Sequence, residues 1–116
     1  MYLVTQEVTR TLKIIVRPKE MNSKGNKVVL ISKSGYSPDK NQILLDLIAE
    51  PIALFCVVGK DCQMWEEVMD DLCVGDGSHS VFITTTSHPD ETIEEVIEFA
   101  RIFNVEKDEG VRILEA

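Results

Sequence analysis

From Val28 to the C-terminus, four apolar, strand-like runs alternate with three stretches of helical periodicity. Consecutive parallel strands need a helical crossover between them, and such crossovers are right-handed. The pattern therefore predicts an α/β protein: a small three-layer sandwich, with a mostly parallel sheet of four to five strands and three helices. An open sheet of this kind takes its ligands at the carboxyl ends of its strands. Two junctions of that type follow apolar strands directly, Gly59-Lys60-Asp61-Cys62 and Ser87-His88-Pro89-Asp90.

The elements follow from the residues. Val28 to Ser32 is a short apolar run and reads as a buried strand. Ser37-Pro38 opens the first helix, a hydroxyl N-cap before a proline at the first helical position, with Asp39 suiting the helix dipole. Ile43, Leu44, Leu47 and Ile48 recur on one helical face, and Pro51 ends it. Ile52 to Val58 shows no polar alternation, as expected of a central strand covered on both faces. The second helix carries Trp65, Val68, Met69 and Leu72 inward and Glu66, Glu67, Asp70 and Asp71 outward. Gly75-Asp76-Gly77 makes a turn. Ser80 to Thr86 is the third strand, rich in β-branched residues. The third helix is expected to start at Ser87 or His88 as cap, followed by Pro89, Asp90 and Glu91. Its buried stripe is Ile93, Val96, Ile97, Ala100 and Phe103, with Glu94, Glu95 and Glu98 facing water and Asn104 as C-cap. Val111 to Leu114 forms the last strand. Before Val28, Thr11 to Arg17 reads as an edge strand ended by Pro18, and 22–26 as a loop.

A chain of 116 residues suits one domain, 1–116, with a sizeable core. No stretch approaches the roughly 20 apolar residues of a membrane helix. Ile14-Ile15-Val16 between Lys13 and Arg17 is too short for a secretory signal, so a cytoplasmic address is expected. The three cysteines, Cys56, Cys62 and Cys73, fall on a strand, a helix start and a helix end, which suits reduced thiols. The two histidines lack metal-ligand spacing, so neither a metal nor a cofactor is expected. Dinucleotide and P-loop fingerprints fail: there is no Gly-x-Gly-x-x-Gly, and Gly59-Lys60 is followed by Asp61. A phospho-acceptor receiver domain wants acids after an early strand, where this chain has Ser32-Lys33-Ser34.

Charge divides the chain. Residues 1–60 hold nine Lys/Arg against five acids, a balance of +4, whereas 61–116 hold three against fifteen, a balance of −12. The acidic half would repel nucleic acid and would steer a basic protein toward it. Glu66, Glu67, Asp70, Asp71, Glu94, Glu95 and Glu98 form one broad negative surface if the second and third helices share a sheet face. Strand order decides that, and periodicity does not reveal it.

At the strand ends, Cys62 is the best nucleophile candidate, near Lys60 at a helix start, with His88 as its candidate base. Asp61 beside the sulfur opposes a thiolate, and no third orienting residue is present, so no catalytic set is assigned. The same junctions could hold an anion through backbone amides with Lys60, Thr86 and Ser87. Trp65 lies on the buried stripe and reads as core before it reads as a ligand platform.

The segments Phe55-Cys56-Val57-Val58-Gly59-Lys60-Asp61-Cys62 with Trp65-Glu66, Thr85 to Glu91, and Glu95-Val96-Ile97-Glu98-Phe99-Ala100 resemble an uncharacterised family of small bacterial α/β proteins. The resemblance spans about residues 52–103. It implies a bacterial origin and a self-contained domain, and it transfers no catalytic role.

These readings lead to a non-catalytic protein-binding protein, most concretely a small acidic inhibitor or immunity protein that neutralises a basic toxin such as a nuclease. The alternatives are a small enzyme or sensor holding an anionic ligand at the strand ends with Cys62 and His88, and a subunit of a larger assembly. Homo-oligomerisation is compatible with each, and a membrane partner with none.

Overall fold

The computed structural model describes residues 24–78 and 80–116. Within them the order is β1 (Lys27–Ser32), a 3-10 turn (Pro38–Lys40), α1 (Asn41–Ala49), β2 (Leu54–Gly59), α2 (Cys62–Val74), β3 (Thr84–His88), α3 (Ile93–Ile102) and β4 (Val111–Glu115). The four strands form one parallel sheet in the order β3-β2-β1-β4. The expected α/β sandwich is therefore present. The expected N-terminal edge strand, Thr11 to Arg17, lies outside the described residues.

Strand order explains the layers. From β1 through β3 the chain steps one way across the sheet; from β3 to β4 it returns over β2 and β1. Right-handed crossovers that reverse direction must change face. Accordingly α1 and α2 pack on one face, where Leu44, Leu47, Trp65 and Met69 meet Val28, Leu30, Phe55 and Val57. α3 covers the other, with Val96 and Ala100 against Val29, Ile31, Leu54, Cys56 and Val58. β1 is buried throughout and β2 to its last residue but one, which is why neither shows a polar alternation. Trp65 is fully buried and donates its indole N–H to Ser32 Oγ at 2.9 Å. It is core.

Several boundaries differ from expectation. β3 begins at Thr84 and not Ser80, because its pairing register starts opposite Leu54; Val81 N–H instead donates to Cys73 O at 2.9 Å, at the end of α2. α3 begins at Ile93. Thr92 is its N-cap: its hydroxyl accepts from Glu95 N–H, and Glu95 returns a carboxylate to Thr92 N–H. That reciprocal pair outcompetes Ser87 and His88, which stay in β3, with Pro89 and Asp90 in the turn between. The helix then ends on Phe103 as C-cap, one residue before Asn104. Before α1, Ser37 precedes the proline turn as expected, but its hydroxyl donates to the Asp39 carboxylate and leaves the backbone uncapped.

The least expected contact is a buried lysine. Lys27, only 1% exposed, points from β1 toward the end of α3. Its ammonium donates to Arg101 O at 3.0 Å, Phe103 O at 3.2 Å and Asp108 Oδ2 at 2.8 Å. Helix ends expose carbonyls that need donors, and a cation there also opposes the dipole. Lys27→Met should therefore cost about 2 kcal/mol in urea unfolding, because two carbonyls lose their donor. The Lys27 hydrogen bond holds the Asp108 carboxyl below its ordinary range. A depressed carboxylate stabilises the fold above its unfolded pKa and loses that contribution as pH falls through the folded value. Asp108→Asn should thus lower stability at pH 7 and lower it by less at pH 2. Equal loss at both would contradict the pairing.

Candidate functional site

The strand carboxyl ends are shaped by two glycines. Gly59 closes β2 at φ 105°, and a Cβ there would strike the Ser32 carbonyl oxygen of β1. This close approach lets Lys60 N–H donate to Ser32 O at 3.0 Å, carrying the ladder one residue past β2. Gly35, at φ 90°, lies beneath the next turn, where a Cβ would come 2.5 Å from Asp61 Oδ2. Asp61 itself adopts a left-handed conformation at φ 60° and caps no amide of α2; its carboxylate accepts from Tyr36 N–H at 3.0 Å. Tyr36 in turn sets its ring edge against Trp65, 5.4 Å between centroids.

Between this turn and the β3–α3 turn lies a cleft of about 370 Å³, lined by Gly59, Asp61, Cys62, Gln63, Met64, Glu67 and Pro89. It sits where the sequence placed a ligand site. Of the expected side chains Cys62 lines it, whereas Lys60, Thr86, Ser87 and His88 do not. Cys62 belongs to the core shared with α1 and α2. His88 lies on the other side of the sheet, in register with Val58, with its ring edge on Phe99 of α3 at 5.0 Å. The sheet separates the two, so the Cys62–His88 pair does not form.

His88 has partners of its own. Nδ1 contacts the Glu91 carboxylate, and Nε2 lies 2.8 Å from Thr86 Oγ1. A carboxylate only accepts, so in the neutral ring Nδ1 carries the proton and Nε2 accepts from the Thr86 hydroxyl. Thr86 is thereby committed to the α3 face, while Ser87, in register with Val57, stands on the α2 face. Lys60 runs over Gly35, toward the end of β1. The expected ligand set of Lys60, Thr86 and Ser87 is therefore dispersed over three places.

The acids divide in the same way. On α2, Asp70 and Glu66 accept from Thr85 Oγ1 at 2.6 and 3.4 Å, while Glu67 and Asp71 are exposed and take part in no ion pair among the described residues. On α3, on the opposite face, Glu95 closes the capping box. Glu98 pairs with Arg101, whose hydrogen bond holds its carboxyl below the ordinary range. The single seven-acid surface is thus two surfaces.

Cys56, Cys62 and Cys73 are free thiols and all buried. Burial pushes the Cys56 thiol up to about 11, and raises Cys73 too, with Asp70 adding to the effect. Among the described residues, no group of three His, Cys, Asp or Glu side chains could hold a metal ion, and no helix is long and apolar enough to cross a membrane.

A family profile described as a domain of unknown function, DUF7684, matches residues 10–113. The chain belongs to this family. The match extends well beyond residues 52–103, the part of the chain that carries the resemblance. No curated protein and no solved structure matches the chain. The family carries no described activity, so the chemistry of this DUF7684 chain has to be argued from its own residues.

Buried thiols react slowly, because the thiolate is the nucleophile and burial disfavours it. Titration of the folded chain with a disulfide reagent at pH 8 should show no rapidly reacting equivalent, and three on unfolding. A fast one-equivalent burst lost in Cys62→Ala would restore the nucleophile reading.

Proposed function

We propose that this chain is a non-catalytic protein-binding protein that captures a basic partner on the outer face of α2. In its most concrete form it is a small bacterial, cytoplasmic inhibitor or immunity protein that covers the positive substrate site of a toxin such as a nuclease. The observation that supports this reading is the composition of α2 itself. Its outward face carries Glu66, Glu67, Asp70 and Asp71, and no Lys or Arg occurs anywhere in Cys62–Val74.

Electrostatic complementarity of this kind raises association rates and excludes wrong partners. Exposed Met64 and Val74 stand at the two ends of the helix and add apolar contact area beside the acids. α3 is the poorer surface, since Arg101 offsets Glu98 on the same exposed side. Thr85 orders Glu66 and Asp70 from beneath, which reduces the entropy lost when a partner docks.

The test is affinity capture from cells of the source organism with mass spectrometry, comparing two charge-reversed variants. Glu67→Lys with Asp71→Lys should weaken capture of a basic protein by roughly tenfold or more, steeply dependent on salt. Glu94→Lys with Glu98→Lys should leave it nearly unchanged. Equal capture by the α2 variant and the parent chain would overturn the reading.

A further inference from the structure

Among the described residues, β3 is an outermost strand of the sheet, paired with β2 alone. Its ladder to β2 runs through Thr84, whose N–H donates to Ala53 O at 3.2 Å, and by the two-residue period of a strand through Thr86 and His88. Thr85 and Ser87 therefore turn their N–H and C=O groups away from β2, and no described strand pairs with them on that side. Folded proteins commonly blunt such an edge with lysine, proline or a bulge. Thr84–His88 contains no lysine and no proline, and it keeps one unbroken register against β2.

The surroundings of this edge are acidic. From Asp61 to Ala100 the chain has 11 acids and no Lys or Arg, and α2, β3 and the start of α3 all come from that stretch. On the α2 side, Thr85 Oγ1 lies 2.6 Å from Asp70 Oδ1 and 3.4 Å from Glu66 Oε2, which brings both carboxylates down to the strand. On the α3 side, where His88 points, the Glu91 carboxylate accepts from His88 Nδ1. At the start of β3 lies a cleft of about 250 Å³, bordered by Thr84 and walled by Ala53, Phe82, Phe103 and Val105. Phe82 is 89% exposed there.

We propose that β3 is the docking edge for the basic partner, which adds an extended segment of its own to the sheet as a further strand. In such strand addition the main chain supplies the affinity and alternate side chains supply the specificity. Thr85 and Ser87 offer the outward N–H and C=O groups. Side chains of the segment on the α2 side meet Glu66 and Asp70 and are Lys or Arg; those on the other side are apolar, and one reaches the cleft beside Phe82. A second copy of this chain is the poorer occupant, because pairing β3 with itself brings two acid-rimmed edges together. The inference rests on the reading of α2 as the face of a basic partner and names the element that holds it: α2 supplies the charge, β3 the hydrogen bonds.

The probe is a capped peptide of alternating lysine and valine, read by amide hydrogen exchange in the full chain. In the free protein Thr85 and Ser87 should exchange rapidly and Thr86 slowly. Saturating peptide should slow Thr85 and Ser87 by roughly tenfold or more. The same peptide N-methylated at every residue keeps its charge and loses its N–H donors, and it should not bind; nor should a peptide alternating glutamate and valine. Ser87→Pro removes an outward N–H and leaves the ladder to β2 in place, since an edge strand tolerates proline on its open side. It should weaken both the peptide and partner capture by roughly tenfold. The peptide pair keeps the test valid if Ser87→Pro unfolds. Slow exchange of Thr85 and Ser87 in the free chain would mean that another segment or a second copy already fills the edge, and it would overturn the proposal, as would equal binding of the N-methylated peptide. Capture lost in Glu67→Lys with Asp71→Lys but kept in a folded Ser87→Pro would leave the α2 reading standing and overturn this one.

Discussion

The ammonium of Lys27, buried at the end of α3, is the contact on which the two-faced arrangement rests. α3 has to travel back across the whole sheet from β3 to β4, and its last carbonyls arrive at the start of β1. A buried carbonyl without a donor is costly, and a buried charge without a partner more so. Here each solves the other's problem, with Asp108 completing the ammonium's shell. Gly25 backs the same corner, where any side chain would press on the Gly110 carbonyl 2.6 Å away. α3 is thus pinned alone on one face while α1 and α2 share the other.

That division governs the electrostatics. The acids of α2 and α3 cannot act together, and part of each set is spent within the protein: Thr85 holds Asp70, the capping box holds Glu95, and Arg101 holds Glu98. What remains most coherent is α2, an acidic helix with no cation of its own. The sheet therefore presents its most acidic helical face on α2, whose inward stripe puts the indole of Trp65 in the core.

Much of the fold was legible because burial writes itself into pattern. β1 and β2 read as apolar runs since both faces are covered, and the α2 stripe from Trp65 through Met69 identified the side that packs. The start of α3 is masked in the sequence because Pro89 and Asp90 look like a helix opening, whereas the Thr92–Glu95 pair three residues on satisfies more backbone. Val81 to Ile83 is apolar and looks like strand, but register against β2, a non-local property, decides where β3 pairing begins. The candidate site was legible in place and not in membership. Gly59, Asp61 and Cys62 do line a cleft, yet side-chain direction alternates along a strand, and that alone sends His88 away from Cys62. Lys27 gave no local signal at all, since a lysine at a strand start ordinarily faces water.

The placement of α2 and α3 on opposite faces is the claim from which the rest follows, and methyl NOE spectroscopy tests it directly. The account predicts contacts from Val96 and Ala100 to Val29 and Val58, and from Met69 and Trp65 to the opposite side chains of the sheet, with none between the two sets. Cross-peaks joining Ala100 to Met69 would place both helices on one face and contradict it.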